Sequence, residues 1–138
     1  MSSYKNYNVL PLLSDNLDNL SYEIIIEQAK VGGELFRKKD IKANQIRNFY
    51  GAVNKLKLDF NKIKSSEGNV DNIKNSLILL KPQLAYVKGR NPKTEAFTEC
   101  MDVAINKTLQ ATNIRKAIEN FFVYVESVVA YHKFYGDK

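Results

Sequence analysis

The clearest pattern in the chain lies between Lys42 and Lys64, where Ile46, Phe49, Tyr50, Val53, Leu56, Phe60 and Ile63 recur at steps of mostly three and four residues. That spacing predicts a helix with one packed face. Arg47, Lys55 and Lys62 fall together on the opposite side, so the same helix packs along one face and presents cations on the other. A helix before it starts after Ser21, a suitable N-cap, with Tyr22, Ile25, Ile26, Ala29 and Phe36 on one face and Gly32-Gly33 weakening its middle. After it, Ser65, Ser66 and Gly68 break the period, and Asn69 or Val70 opens a helix through Ile73, Leu77, Leu80, Leu84 and Val87. Pro82 predicts a kink or restart near Leu79 to Lys81, and Gly89 before Pro92 predicts the stop, with Gly89 in a left-handed cap.

Lys93 to Leu109 reads as a fourth helix, with Phe97, Met101, Ile105 and Leu109 on a stripe thinned by polar neighbours. The last helix runs from Thr112 or Asn113 to about Tyr135, with Ile114, Ile118, Phe121, Phe122, Val125, Val129 and His132 on one face. A second stripe of Tyr124, Val128, Tyr131 and Tyr135 makes it wider than one bundle face needs, so this helix is either central or touches a partner. Residues 1–20 show no period and include Pro11, which predicts an irregular arm or a docking strap. With no alternating pattern long enough for a strand, the reading is all-α: a compact bundle of about five helices in one domain over residues 21–138, with an irregular N-terminal arm over 1–20.

At 138 residues the chain fits one hydrophobic core. No run approaches a membrane span, no secretory signal is visible, and the single cysteine, Cys100, forms no internal disulfide, so a cytoplasmic location is expected. Charge adds more. The net value is +6, but residues 41–93 hold 11 basic and 3 acidic side chains while both flanks are slightly acidic. Such segregation suits a strip facing a polyanion, and it is also what lysine-rich solvated helices produce. Seventeen of the 21 basic residues are lysine, a point charge suited to phosphate rather than to the bidentate base contact of arginine.

Little here supports catalysis. His132 is the only histidine, which leaves a His-based triad or multi-histidine metal site without a second member. It reads as a core-edge residue near a helix C-terminus, where a cation is favoured. Cys100 reads as a small packed residue. Glu95, Glu99 and Asp102 have the helical spacing for a divalent ion or acid–base work, or equally for a solvated face or a docking edge. Lys88, Arg90 and Lys93 surround a helix end beyond what dipole complementation alone needs. Tyr86 beside them could stack on a base, although its neighbours Leu84 and Val87 favour a core position.

Three segments then stand out together: Gln45-Ile46-Arg47-Asn48-Phe49-Tyr50, Leu80 to Arg90 with its Ala85-Tyr86-Val87-Lys88-Gly89-Arg90 end, and Val128-Val129-Ala130-Tyr131-His132-Lys133-Phe134-Tyr135-Gly136. In order and spacing they resemble the small α-helical subunit of the type III-A CRISPR effector, the Csm ribonucleoprotein complex, over roughly residues 40–136. The resemblance implies a non-catalytic subunit without cofactor, present in several copies stacked head to tail as an inner filament. Its implied partners are guide RNA, target RNA, other Csm subunits and further copies of itself. Arg47 and Arg90 match basic positions of that family, and Lys55, Lys62, Lys81 and Lys88 join them from the charge map. A subunit of this kind need only hold the backbone, since guide pairing specifies sequence. An open filament also needs two different complementary surfaces, for which Glu95 and Glu99 on helix four and Tyr124, Tyr131 and Tyr135 on helix five are the candidates. Two other readings compete: a free-standing helical adaptor binding a protein through helix five, and a small metal-dependent enzyme using Glu95, Glu99 and Asp102.

Overall fold

The computed structural model describes residues 10–63 and 70–136, and the expected break at Ser65, Ser66 and Gly68 lies outside them. Five α-helices occupy Tyr22–Lys38 (α1), Ala43–Ile63 (α2), Val70–Arg90 (α3), Glu95–Leu109 (α4) and Ile114–Gly136 (α5). Among the described residues there is no strand, and the architecture is the expected all-α bundle. No described helix is long and apolar enough to cross a membrane.

α5 is the central element, packed on α1, α2 and α4, while α3 closes the far side against α2 and α4. The width of its apolar surface follows from that position: Ile118, Phe121, Phe122, Tyr124, Val125 and Val128 are all buried, because neighbours cover both stripes. Phe97 of α4 lies edge-on to Phe36 of α1 at 5.6 Å and to Phe49 of α2 at 5.7 Å, joining three helices in one aromatic contact set.

α1 begins where expected, with the Ser21 hydroxyl accepting from the Ile24 amide at 3.3 Å. Its buried stripe is Ile25, Ala29, Gly32, Gly33, Leu35 and Phe36. Tyr22 and Ile26, expected on that face, are exposed instead: Ile26 lies at the stripe's edge, and Tyr22 is on the rim of a cleft lined by Phe60, Phe122 and Glu126. The glycine pair does not interrupt the helix. A Cβ on Gly33 would come within 2.8 Å of the His132 amide nitrogen and the Tyr131 Cβ, so glycine here sets how closely α1 and α5 cross. α1 ends in a Schellman motif, in which Ile41 N–H donates to Phe36 C=O and Asp40 N–H to Arg37 C=O, both at 3.0 Å. Asp40 takes the left-handed position at φ 62°.

α2 follows the expected pattern closely, burying Ile46, Phe49, Val53, Leu56 and Phe60. α3 departs from it twice. Of the kink or restart expected at Pro82 there is no restart: the helix runs on through it, and the carbonyl left without a donor belongs to the partly exposed Ile78. Nor is Gly89 a left-handed cap: no described glycine has positive φ, and the helix continues to Arg90. The stop belongs to Asn91 and Pro92, with the Asn91 side chain accepting from the Lys93 amide at 3.2 Å at the head of a short 3₁₀ turn, Pro92–Thr94.

α4 therefore starts at Glu95, and its packed stripe is broad rather than thin, since Ala96, Thr98, Cys100, Ala104 and Thr108 join Phe97, Met101 and Ile105 inside. The threonines can be buried because each hydroxyl donates to a carbonyl of its own helix, Thr98 to Glu95 at 3.2 Å and Thr108 to Ala104 at 2.8 Å. Residues 10–20 lie along the bundle as a strap. Leu13, Leu17 and Leu20 enter the common core. The buried Asn120 amide donates to Leu17 C=O at 2.7 Å, and the Asn113 amide donates to the Asp18 carboxylate at 2.9 Å, just before α5 begins.

Candidate nucleic-acid interface

Arg47, Lys55 and Lys62 are exposed on the outer flank of α2, and none has an ion-pair or hydrogen-bond partner among the described residues. The packed stripe on the other side of the helix fixes this orientation, because rotating α2 to bury a cation would expose Phe49 or Phe60. Three cations without an ion pair among the described residues, with Asp59 one turn from Lys55, leave this face net positive, a strip that an anionic backbone can neutralise.

The cations of α3 are placed differently. Lys81 Nζ sits between Asp102 Oδ1 at 2.7 Å and Asn106 Oδ1 at 2.8 Å, so it tethers α3 to α4 and two of its three donors are engaged. This sets it apart from the α2 strip with which the sequence grouped it. Lys88 pairs with Glu95 at 3.1 Å, joining two residues assigned to different surfaces. Both ends of that bridge are substantially exposed, so it is weak and exchangeable. Arg90 donates to the Tyr86 hydroxyl at 3.3 Å and lies 5.7 Å from the ring centroid. Lys93, the third cation of that helix end, reaches Asp40 at 3.4 Å.

Tyr86 is 63% exposed, so the core position favoured by its neighbours is wrong. The helical angle carried the missing signal: Tyr86 stands about 140° from Ile73 on the wheel, opposite the Ile73, Leu77, Leu80 and Leu84 stripe. It lines an open cleft between the start of α2 and the end of α3, together with Asn44, Gln45, Asn48, Arg90 and Asn91. The sequence segments contain Gln45 and Asn48, but sequence reasoning assigned none of the four amides a role.

Among the proposed contact residues, Tyr124 must be withdrawn. Its side chain is fully buried in the bundle, its hydroxyl has no hydrogen-bond partner, and burial raises its pKa well above the usual phenol value. Tyr131 and Tyr135 remain half-buried at the end of α5, where Phe134 stands edge-on to both rings and is itself 59% exposed. Glu95 and Glu99 are exposed and line a groove with Leu10, Leu12, Lys39 and Lys93.

His132 differs from the expected core-edge cation. It is buried, and desolvation, with the nearby Arg37 charge adding to it, lowers its pKa against the opposing effect of its bond to Ile41. The cation at this helix end is Arg37. Cys100 is packed as expected, with burial pushing its thiol up to about 12. Glu95, Glu99 and Asp102 do not converge, and no group of three potential metal ligands occurs among the described residues.

These features define a small all-α chain with a net positive flank and a polar cleft beside it. The model of the Csm2 Type III-A family matches residues 19–138, and the chain belongs to that family. It is thus a small subunit of the type III-A CRISPR Csm complex, as its sequence segments suggested. No curated protein matches it.

Proposed function

We propose that this subunit holds the sugar–phosphate backbone of guide and target RNA on the outer flank of α2, and that several copies stack along the paired strands as an inner filament. One observation carries the reading: Arg47, Lys55 and Lys62 share a single exposed face with no partner among the described residues. Arg90 extends the contact at the end of α3, Lys88 joins it by exchanging Glu95 for a phosphate, and Lys81 is left as a structural tether. Stacking uses the groove of Glu95 and Glu99 on one surface and the aromatic end of α5, with Tyr131 and Tyr135, on another. Chemistry on the RNA belongs to other subunits, and this chain acts without cofactor in the cytoplasm.

The test is RNA affinity as a function of salt. Replacing Arg47 and Lys55 by alanine should lower affinity and reduce the slope of log K against log salt by about two, because each phosphate contact contributes about one. An unchanged slope, with helical circular dichroism intact, overturns the assignment. One observation favours a second reading, an adaptor that docks a protein through α5: the exposed Phe134 in its aromatic cluster. Purification of the tagged chain from its host separates the two, since the adaptor returns one protein without RNA and the subunit returns the complex with repeat-derived guide RNA.

A further inference from the structure

The α2 strip accounts for phosphates but leaves the neighbouring cleft unexplained. Its lining is of another chemistry: four side-chain amides, one aromatic ring and one guanidinium, with no acidic residue among those described. Cations bind phosphates well enough alone, whereas amides that donate and accept side by side match the mixed edge of a nucleobase.

The groups are also prepared for a ligand. The Gln45 side-chain oxygen is occupied by the Lys42 amide at 3.1 Å, and that of Asn91 by the Lys93 amide at 3.2 Å. Each contact fixes the amide's orientation and leaves its NH₂ group to donate. Asn44 and Asn48 stand one turn apart on α2, with Arg47 between them in sequence, so the cleft adjoins the cationic strip. Tyr86 contributes nothing to the core, yet its ring is held by Arg90, which bonds its hydroxyl and lies within cation–π distance. An exposed ring beside a guanidinium is a stacking platform. The cleft, about 430 Å³ and open to solvent, admits a base with its sugar.

We infer that this cleft binds one unpaired base of an RNA strand whose backbone lies on α2, the base stacking on Tyr86 while the amides of Asn44, Gln45, Asn48 and Asn91 meet its edge. The inference rests on the backbone reading above and adds a contact to a base. A paired base cannot enter, because its edge and both faces are already engaged. The occupant is a base carried by a strand, not a free nucleotide, since the strip supplies the neighbouring phosphate contacts.

The full chain is titrated with a single-stranded RNA, with the same strand carrying abasic sites, and with free uridine and adenosine monophosphates. Wild type should bind the intact strand about tenfold more tightly than the abasic one, the size expected of one stacked base. Tyr86→Ala should lose that difference and Tyr86→Phe should keep it, both with unchanged circular dichroism because residue 86 lies outside the core. Equal affinity of wild type for both strands overturns the inference, as does an unchanged preference in Tyr86→Ala, or a free monophosphate bound as tightly as the strand. The double change Arg47→Ala with Lys55→Ala should weaken both strands alike. If it weakens neither, the backbone reading falls, and the cleft is then judged on Tyr86 alone.

Discussion

Arg37 and His132 fasten the ends of α1 and α5 to each other in both directions. The Arg37 guanidinium donates to the His132 carbonyl at 2.8 and 3.0 Å, while the His132 ring returns a bond to the Ile41 carbonyl at 2.8 Å, just beyond α1. A carbonyl only accepts, so Nε2 carries the proton and Nδ1 offers its lone pair to Arg37 at 3.1 Å. The neutral imidazole is the form this geometry needs.

Stability should therefore fall in mild acid. The folded pKa of His132 lies below its ordinary 6.5, so between the two values the unfolded chain binds more protons than the folded one. This contribution is complete above the unfolded value and is lost as pH drops through about 6.5 toward the folded pKa. Asp40, held low chiefly by its hydrogen bond from Lys42, stays ionised there and does not interfere. Thermal melts from about pH 7.5 to about pH 5 should show a steeper loss in wild type than in His132→Gln. Parallel curves would mean the histidine does not titrate between the two states.

The glycine pair of α1 should respond unequally. Gly33→Ala places a methyl against the α5 backbone and should cost about 2 kcal/mol through overpacking. Gly32→Ala meets only the Phe36 ring at 3.5 Å, an ordinary contact, and should gain up to about 1 kcal/mol from helix propensity. Urea denaturation of the two variants decides; equal effects would refute the close crossing at Gly33.

Tyr124→Phe removes a buried hydroxyl without a partner and should raise stability by about 1 kcal/mol. Because the ring is enclosed by the bundle, assembly into the complex should not change. Loss of assembly at native stability would restore Tyr124 to the contact surface.

Lys81 and Lys55 should separate two roles for the same residue type. Lys81→Met breaks the tether to Asp102 and Asn106 and should lower stability by about 1 kcal/mol, discounted for its partial exposure, while the salt slope of RNA binding stays the same. Lys55→Met should do the reverse, reducing the slope and sparing stability. Measuring both quantities on both variants checks the division.

The contrast between these lysines shows what the sequence could and could not reveal. The α2 strip is legible because one helix with a strict apolar period fixes its own outward face. Lys81 lies on the flank of α3 beside its packed stripe, and its partners stand 21 and 25 residues away on another helix. No local period encodes that pairing. Tyr124 was misplaced for a related reason: a second apolar stripe reads the same whether a partner covers it or this chain does, and here the chain does. Gly33 and Pro82 were read as local weaknesses, yet one is set by a neighbouring helix and the other lies on the exposed side of a helix that continues through it. Tyr86 was within reach, since its wheel angle alone opposes the core.

The strap bears on how the subunit comes to exist. Leu17 and Asp18 bond to Asn120 and Asn113 across 103 and 95 residues of chain, and Arg37 reaches His132 across another 95. For an all-helical protein these are distant pairings, and they slow folding relative to a bundle joined by local contacts. During synthesis the strap precedes α5, so Leu17 must wait for Asn120 and its neighbours on that helix. Until α5 has been made, the strap and α1 lack the helix they pack on most, so closure of the core falls late in translation.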